Sequence, residues 1–320
     1  MLKEVKNTFK TKINKHIAKK SKRYLESDIN KHAAHEVLRQ KQILKRPVNL
    51  DNPKYFFEKL LWLKYNIYNP SPLVAQCYNK YEVRKYVESK GYSNILNDLY
   101  GVWDHIDDIP WDALPGECVI KVSNGYAGHV FKRENTPFII KDAKKTIIDT
   151  WNRSKFMFYI SGDLFAYNTE QKIICERLLE PQSGYLSPAD YKFYCFHGEP
   201  LYIDFLYGRG EAEKGAYNEH FYDINLNDRH ELEGGSSPGK FEKPSCFDDM
   251  IEIARVLSSD FPFVRVDLYE EHNKPIFGEL TFSPFHKATL QSEVELGELI
   301  NLNNIYRYKN VLSKTIGLEK

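Results

Sequence analysis

The stretch Phe263-Val264-Arg265-Val266-Asp267, with Gly278-Glu279-Leu280-Thr281 following it, decides the fold of this chain. Successive side chains of a β-strand point to opposite faces of the sheet, so the arginine and the aspartate share one face and the valines share the other. The glutamate and the threonine of the second segment share a face for the same reason. The residues between the segments, His272-Asn273-Lys274-Pro275, are typical of a hairpin connection, so we expect two neighbouring strands.

These two strands would present Arg265, Asp267, Glu279 and Thr281 over one surface, with an apolar layer beneath. Oxygen ligands from paired carboxylates suit Mg²⁺, and a guanidinium suits the charge of a phosphoryl group. A sheet with a solvated polar face and a surface ion pair would give the same pattern. The two segments alone therefore leave both interpretations open.

The composition is that of a folded protein with no membrane span and no disulfide framework. The chain has 320 residues, 42% of them hydrophobic, with 22 Tyr and 19 Phe, which is enough to bury a large core. No apolar run reaches the roughly 20 residues of a membrane helix, and the first residues lack the apolar core of a secretory signal. Five cysteines without a CxxC pair argue against a zinc site and against disulfides. We therefore expect a soluble, cytoplasmic protein.

Positive charge is concentrated at the start of the chain. Residues 1–46 contain 14 Lys or Arg against 4 Asp or Glu, a net charge of +10, while the other residues carry a net charge of −9. An acidic body argues against nucleic acid as a partner. The apolar residues of the basic segment recur at three- to four-residue spacing, namely Leu2, Val5, Phe9, Ile13 and Ile17. This stripe predicts a helix that lies on an anionic membrane surface, or one that packs on the body of the protein.

The pattern along the chain changes from helical to β-like. Predicted helices span residues 1–46, about 54–65, about 73–90, about 142–160 and about 247–258. Short β-like runs begin at Cys118 and span residues 118–122, 138–140, 172–176, 191–196 and 201–205. A Gly-, Ser- and Pro-rich stretch at residues 234–239 predicts a loop. The sequence therefore predicts an α+β fold, with helices first and a largely antiparallel sheet system after them.

A lysine and several small residues follow one another between residues 118 and 130. Lys121 ends a predicted strand, and Ser123, Gly125 and Gly128 follow it in a loop. A fixed lysine charge, with backbone N–H groups left open by small residues, can hold phosphate oxygens. An ordinary hairpin would also fit this segment.

Two further segments could serve a nucleotide. The apolar run that ends in Glu176 offers a carboxylate to an adenine amine, although a buried strand with a solvated end would fit as well. Alternation between residues 190 and 194 places Asp190 and Lys192 on one face. The aspartate could accept hydrogen bonds from ribose hydroxyls and the lysine could reach a phosphate; an exposed strand face is the alternative.

The order of these segments is more specific than any one of them. A lysine strand, a glycine loop, a strand ending in Glu, an alternating strand, then Arg-x-Asp and Glu-x-Thr follow the sequence plan of the ATP-grasp fold. Over roughly residues 50–305 the chain resembles the TupA-like ATP-grasp family of bacterial surface-polysaccharide loci. The matching blocks are residues 52–53, 57–60, 62–64, 79–87, 101–103, 119–121, 190–193, 196–200, 261–269 and 278–284.

The resemblance implies a fold in which two α+β subdomains grip ATP, with Mg²⁺ as the second cofactor. The residues that it places at the cofactors are, for ATP, Lys80, Lys121, Ser123, Gly125, Gly128, Glu176, Leu178, Leu179, Asp190 and Lys192, and, for Mg²⁺, Asp267, Glu279 and Thr281. Glu176 and the backbone of the two leucines would frame adenine, with Asp190 near the ribose. Arg265 and Lys192 would act in catalysis, by stabilising the phosphoryl group in flight.

The chain departs from the usual family pattern in three places. Tyr126 and Ala127 stand where smaller residues are expected in the phosphate loop, and Phe285-His286-Lys287 stands where the family often has glycines. Thr281 stands where many ATP-grasp enzymes have asparagine. The first two departures bear on the acceptor pocket more than on the nucleotide site.

The activity that the resemblance implies is ATP-dependent joining of a carboxylate to an amine through an acyl phosphate. The implied carboxylate is a uronic acid of a surface polysaccharide, and the implied amine is an amino acid or amino alcohol. A glycosyltransferase of the same pathway is an alternative, but the chain shows no convincing D-x-D motif, since Asp107-Asp108 stands directly before Ile109-Pro110. A non-catalytic nucleotide-binding module is a third possibility.

The predicted division of the chain follows from the same blocks. Residues 1–46 form a basic amphipathic helical segment that could contact the inner face of a membrane, and residues 47–115 a helical region that packs on the core. Residues 116–305 form the ATP-grasp domain, with a smaller lobe at 116–176 and a larger lobe at 177–305 that carries the metal site. Residues 306–320 are a C-terminal tail.

Overall fold

The structure is a computed structural model of the chain. It describes residues 19, 47–125, 127–181, 187–208, 217–234, 241, 243–284 and 289–316. The predicted amphipathic helix at 1–46 therefore lies outside the described residues except for Lys19, as do Tyr126, residues 285–287 and most of the predicted loop at 234–239. No helix in the described part of the chain is long and apolar enough to cross a membrane.

The first described elements are short helices. Helix α1 spans Phe56–Leu63 and continues as a π-helical turn at Lys64–Tyr68, α2 spans Pro72–Tyr78 and α3 spans Val83–Ser89. The buried Glu58 side chain accepts hydrogen bonds from the backbone N–H groups of Asn49, Lys54 and Tyr55, which fixes the entry into α1.

The single helix predicted over residues 73–90 is wrong, because the structure divides it into α2 and α3. Asn79 is extended between them, with φ −77° and ψ 119°. Its side-chain oxygen accepts from the backbone N–H groups of Tyr81 and Glu82, and its amide donates to the backbone of Glu170. A side chain that bonds the local backbone in this way competes with the helical ladder and ends the helix.

The first sheet has four antiparallel strands in the order β1-β4-β2-β3. These are β1 (Leu99–Trp103), β2 (Cys118–Val122), β3 (Val130–Lys132) and β4 (Ile173–Arg177). Helix α4, Ile140–Ser161, covers one face, where its Ala143 and Ile147 pack in a cluster with Ile120 and Val122. Strand β1 comes from the region that the sequence predicts as helical, and α4 begins inside the predicted β-like run at 138–140, so that run is not a strand.

The second sheet has five antiparallel strands in the order β7-β6-β5-β8-β9. These are β5 (Asp190–Phe196), β6 (Glu199–Tyr207), β7 (Asn218–Asp223), β8 (Phe263–Glu271) and β9 (Lys274–Thr281). Helix α6, Phe247–Ser258, covers the apolar face, with the ring of Phe247 6.0 Å from that of Phe193. The predicted hairpin is confirmed: His272 and Asn273 both have positive φ, 52° and 61°, as a two-residue type I′ turn requires.

Hydrogen bonds between distant segments hold the helical region against the second sheet and against the last described residues. The remaining α-helices are α5 (Leu164–Tyr167), α7 (Leu290–Glu298) and α8 (Lys309–Leu312), and a 3₁₀ segment (Leu302–Tyr308) precedes α8. The fully buried Tyr68 hydroxyl donates to the backbone oxygen of Phe263 at 2.7 Å and accepts from its N–H at 3.2 Å, which fixes the start of β8. The hydroxyl of Ser71 donates to the backbone oxygen of Leu312, so the chain beyond residue 305 packs on the helical region.

Candidate functional site

A row of four charged side chains crosses the second sheet. Asp204 on β6 stands directly opposite Lys192 on β5, Lys192 stands opposite Asp267 on β8, and Asp267 stands opposite Glu279 on β9. Directly paired residues of antiparallel strands point to the same face, so all four lie on the face opposite α6. We call Asp204, Lys192, Asp267 and Glu279 the charged row.

The centre of the charged row is a buried ion network. Lys192 Nζ lies 2.8 Å from Asp267 Oδ2 and 3.0 Å from Asp190 Oδ2. Arg265 donates from Nε and Nη2 to the two oxygens of Asp267, at 2.7 and 2.6 Å. Burial alone would lower the pKa of Lys192, but Asp190 and Asp267 raise it above its usual value. Buried charges persist only when they are paired, so these contacts favour the charged form of Lys192.

Glu279 and Thr281 extend this network to the next strand. The Thr281 hydroxyl donates to Glu279 Oε1 at 3.0 Å and accepts from Arg265 Nη2 at 3.2 Å. Lys80 Nζ lies 3.7 Å from Glu279 Oε2. Burial would raise the pKa of Glu279, but Lys80 and Arg265 lower it below its usual value, so this side chain is a carboxylate at neutral pH.

The donor set at this point fits Mg²⁺. Asp267 and Glu279 stand directly opposite each other on adjacent strands, with the Thr281 hydroxyl beside them. In the described part of the chain no three or more His, Cys, Asp or Glu side chains form a group that could hold a metal ion. Mg²⁺ is usually held by one or two carboxylates together with substrate phosphates, so a two-carboxylate site is sufficient.

A cavity of about 690 Å³ lies between the two sheets. Its charged lining comprises Lys80, Arg84, Lys121, Arg133, Glu176, Arg177 and Glu279. Its apolar lining includes Val119, Phe131, Leu178, Leu179, Tyr269 and Phe277. Small-molecule sites have this size and this mixture of apolar walls with a few polar groups. Glu279 belongs both to the cavity and to the charged row, so the two features form one site.

The first sheet contributes an ion pair to the cavity wall. Lys121 Nζ lies 2.7 Å from Glu176 Oε2, because the two residues occupy neighbouring strands on the face opposite α4. Arg84 Nη1 lies 3.8 Å from Glu176 Oε1. Arg84 is not among the predicted site residues. It follows Lys80 by four positions, and that spacing was the available signal in the sequence.

The loop after β2 is shaped by two glycines. A Cβ on Gly125 would lie 2.9 Å from the Cβ of Val122, and one on Gly128, whose φ is +74°, would overlap the Thr150 hydroxyl. Only glycine therefore lets this loop lie close to α4. Lys80 Nζ donates to the backbone oxygen of Gly125 at 3.2 Å, which joins the predicted phosphate lysine to the loop.

Two predicted site residues have their side chains bound inside the protein. Ser123 is fully buried, and its hydroxyl accepts a hydrogen bond from the backbone N–H of Lys172. Asp190 is 2% exposed and contacts Lys192. Neither lines the cavity, whereas Lys80, Lys121, Glu176, Leu178 and Leu179 all do.

Several solved structures are similar to this chain at low sequence identity. D-alanine–D-alanine ligase from Bacillus anthracis complexed with ATP is 13% identical, with a TM-score of 0.41 over 74% of this chain and 68% of that one. VanG D-Ala:D-Ser ligase from Enterococcus faecalis is 11% identical, with a TM-score of 0.41 over 74% and 62%. L-amino acid ligase from Bacillus licheniformis is 13% identical, with a TM-score of 0.39 over 65% of this chain and 43% of that one.

The sequence matches none of the curated proteins. The family model described as TupA-like ATPgrasp matches residues 58–301. Similarities as distant as those to the solved structures carry no family assignment, so the assignment rests on this match. Because the match covers three quarters of the chain, this protein belongs to the TupA-like ATP-grasp family and is an ATP-dependent ligase.

Proposed function

We propose that this ligase joins a carboxylate to an amine through an acyl phosphate. The observation that supports this most is the convergence of Lys80, Lys192 and Arg265 on the paired carboxylates Asp267 and Glu279, beside the cavity. Phosphoryl transfer needs fixed positive charge where negative charge is shared between attacking and leaving oxygens, and little other chemistry from the protein.

The reaction has two steps. A substrate carboxylate oxygen bonds to the γ-phosphorus of ATP as the bond to the ADP oxygen breaks, which leaves an acyl phosphate. The amine nitrogen then bonds to the acyl carbon, inorganic phosphate leaves, and the nitrogen loses a proton to give the amide. Arg265 and Lys192 would neutralise the transferring group, while Mg²⁺ held by Asp267, Glu279 and Thr281 would supply charge neutralisation at the phosphates.

The cavity residues fit the nucleotide. Lys80 and Lys121 would contact phosphates, and Leu178, Leu179 and Glu176 would frame the adenine. Ser123 would position the loop after β2 through its hydrogen bond to the backbone of Lys172. Asp190 would position Lys192 through their ion pair, and neither side chain would contact ATP directly. We assign the smaller lobe to residues 116–176 and the larger lobe to 177–305, with β1 added to the sheet of the smaller lobe.

We propose a uronic acid of a surface polysaccharide as the carboxylate, because the TupA-like resemblance implies that pathway. The test is ATP-dependent hydroxamate formation from glucuronic and galacturonic acids with hydroxylamine, which captures an acyl phosphate without the natural amine. We expect Mg²⁺-dependent hydroxamate with ADP released in equal amount. Melting shifts with ATP, ADP, UDP and UDP-sugars are measured in parallel.

The parallel measurement separates the alternatives. A melting shift with UDP or its sugars alone would replace the ligase proposal by a glycosyltransferase. A shift with ATP but no turnover with any carboxylate and amine would indicate a binding module. A shift with ATP and turnover on carboxylates other than uronic acids would retain the ligase and reject the substrate.

We also propose that residues 1–46 bring the enzyme to an anionic membrane surface, because of their net charge of +10 and their apolar stripe. Co-sedimentation with phosphatidylglycerol vesicles is expected for the full chain and not for a chain lacking these residues. Binding should fall as salt rises, since charges on the protein surface are screened. Equal binding by both chains would contradict the proposal.

A further inference from the structure

Asp204 stands at the end of the charged row that is away from Glu279. It is not one of the residues assigned to the nucleotide or to the metal. It stands on β6, directly opposite Lys192 and two strands from Asp267. The cavity lies at the other end of the row, where Glu279 lines it. A molecule that attacks the acyl carbon of the acyl phosphate from the side away from the nucleotide would therefore meet β6.

The Asp204 side chain is buried, with a relative exposure of 5%. Its Oδ1 has no hydrogen-bond partner among the residues that the structure describes. Lys192, which pairs with it across the strands, makes its close contacts with Asp190 and Asp267 instead, at 3.0 and 2.8 Å. A buried acceptor without a donor is destabilising, and more so when it is charged, so a ligand that supplies the donor is favoured.

The surroundings of Asp204 favour a cation. Burial, and then the charge of Glu219, raise the pKa of the Asp204 carboxyl well above its usual value, against the smaller opposing effects of Lys192 and Arg265. Glu233, which is 3% exposed, acts in the same direction as Glu219. Glu219 and Glu233 thus add negative charge near this carboxyl group, and a bound cation would stabilise its charged form.

The same surroundings favour an ammonium group over a metal ion. Aromatic side chains lie next to the carboxyl group: Phe221 is its direct partner on β7, and Tyr202 lies two residues before it on the same face. The rings of Tyr202 and Phe221 are stacked, with centroids 5.6 Å apart, and the Arg229 guanidinium lies 5.8 Å from the centroid of the Tyr202 ring. An organic cation thus already lies on this aromatic cluster, and an organic ammonium ion suits it for the same reason.

We infer that Asp204 binds the ammonium group of the amine substrate, with Tyr202 and Phe221 beside it. This rests on the proposed ligase function. The ammonium donates a hydrogen bond to Asp204 and releases one proton to water. The nitrogen lone pair then bonds to the acyl carbon, the bond from that carbon to the phosphate oxygen breaks, and the nitrogen loses a second proton to the departing phosphate. The amine is therefore a primary ammonium compound, such as an amino acid or an amino alcohol, and not a neutral hydroxyl compound.

The test uses ethanolamine hydrochloride as the probe, on the full chain with Mg²⁺ and ADP. Ethylene glycol, which replaces the ammonium by a hydroxyl, is the matched ligand, and sodium chloride controls for ionic strength. Calorimetry and melting shifts are recorded for wild type, Asp204→Asn and Glu199→Gln. Glu199 lies on the same strand, but its exposed side chain pairs with Arg255 outside the site.

We expect saturable binding of ethanolamine and none of ethylene glycol. Asp204→Asn should weaken this binding at least about tenfold, because it removes a charge-assisted hydrogen bond, and Glu199→Gln should leave it unchanged. Glu219→Gln removes a neighbouring negative charge and leaves Asp204 in place, so it should weaken ethanolamine binding by a smaller factor. This variant keeps the test decisive if Asp204→Asn does not fold.

The same samples separate this inference from the ligase proposal. The melting shift with Mg²⁺ and ATP should be equal in wild type and Asp204→Asn. If that shift is present but ethanolamine does not bind, or binds equally to Asp204→Asn, the inference is overturned and the ligase proposal stands. If no ATP shift occurs in wild type, the ligase proposal itself fails.

Discussion

Replacement of Asp267 by asparagine is expected to lower the rate of ATP turnover by about 10²–10³-fold. The substitution keeps the shape of the side chain but removes the charge of one of the two carboxylates that stand opposite each other on adjacent strands and would bind Mg²⁺. ATP hydrolysis or ligation with and without Mg²⁺ measures the effect. The melting shift caused by Mg²⁺ and ATP should be lost in the same variant.

The same substitution also affects stability, and the two effects must be separated. Asp267 is 1% exposed and contacts both Lys192 and Arg265, and removal of one partner of a buried ion pair costs about 3–5 kcal/mol. Asp163→Asn is the matched control, because it breaks another buried lysine–aspartate pair, at 2.9 Å from Lys64, that does not line the cavity. We expect a comparable loss of stability in Asp163→Asn with ATP turnover retained.

Two outcomes would count against this assignment. Full ATP turnover by Asp267→Asn would show that the aspartate only balances Lys192 and Arg265 and has no part in metal binding. An equal loss of turnover in both aspartate variants, after correction for the folded fraction, would attribute the loss to stability. Either result would leave Glu279 without its proposed partner.

The central strand pair was predictable because its information is local. Alternation places Arg265 and Asp267 on one face, and the turn residues place Glu279 opposite, so a few adjacent residues determine the geometry. The strand pair thus depends on neighbours in the sequence and not on the rest of the fold. The small residues of the loop after β2 are visible in the sequence, but the need for Gly125 and Gly128 arises from the approach of the backbone to Thr150 on α4.

Features that depend on distant pairing were missed. Asp204 appears in the sequence as one polar residue in an apolar run, and its place beside Lys192 follows only from the pairing of β5 with β6. Strand β1 is short and contains Gly101, and it forms by pairing with β4, some 70 residues away along the chain. The run at 138–140 is apolar without a clear period, so its sequence alone cannot distinguish a strand from the start of α4.

Gly297→Ala should destabilise the protein by about 1–3 kcal/mol, although alanine is the better helix former by up to about 1 kcal/mol. Gly297 lies in α7, where a Cβ would stand 2.7 Å from the backbone oxygen of Lys54 and 2.8 Å from the backbone nitrogen of Phe56. These are backbone atoms that cannot move aside as a flexible side chain would. The close approach of α7 to the start of α1 therefore requires glycine.

The backbone that α7 meets is fixed from the other side as well. Phe56 is fully buried, with its ring 5.3 Å from that of Phe263 at the start of β8. Lys59 Nζ donates to the backbone oxygens of Gly297 and Ile300, both at 2.8 Å, and thus holds the end of α7 on α1. An added methyl group at position 297 must push α7 away from the start of α1. Because Phe56 packs on Phe263, this shift would also disturb the start of β8.

Denaturant unfolding of Gly297→Ala is best compared with that of Gly116→Ala. A Cβ at position 116 would meet only the side chain of Glu134, at 3.3 Å, which can move. Both substitutions reduce the freedom of the unfolded chain equally, so their difference isolates the clash at α7. We expect Gly116→Ala to be neutral or slightly stabilising. If Gly297→Ala were as stable as Gly116→Ala, α7 would not lie against the start of α1 at this distance, and the second sheet would not be fastened there.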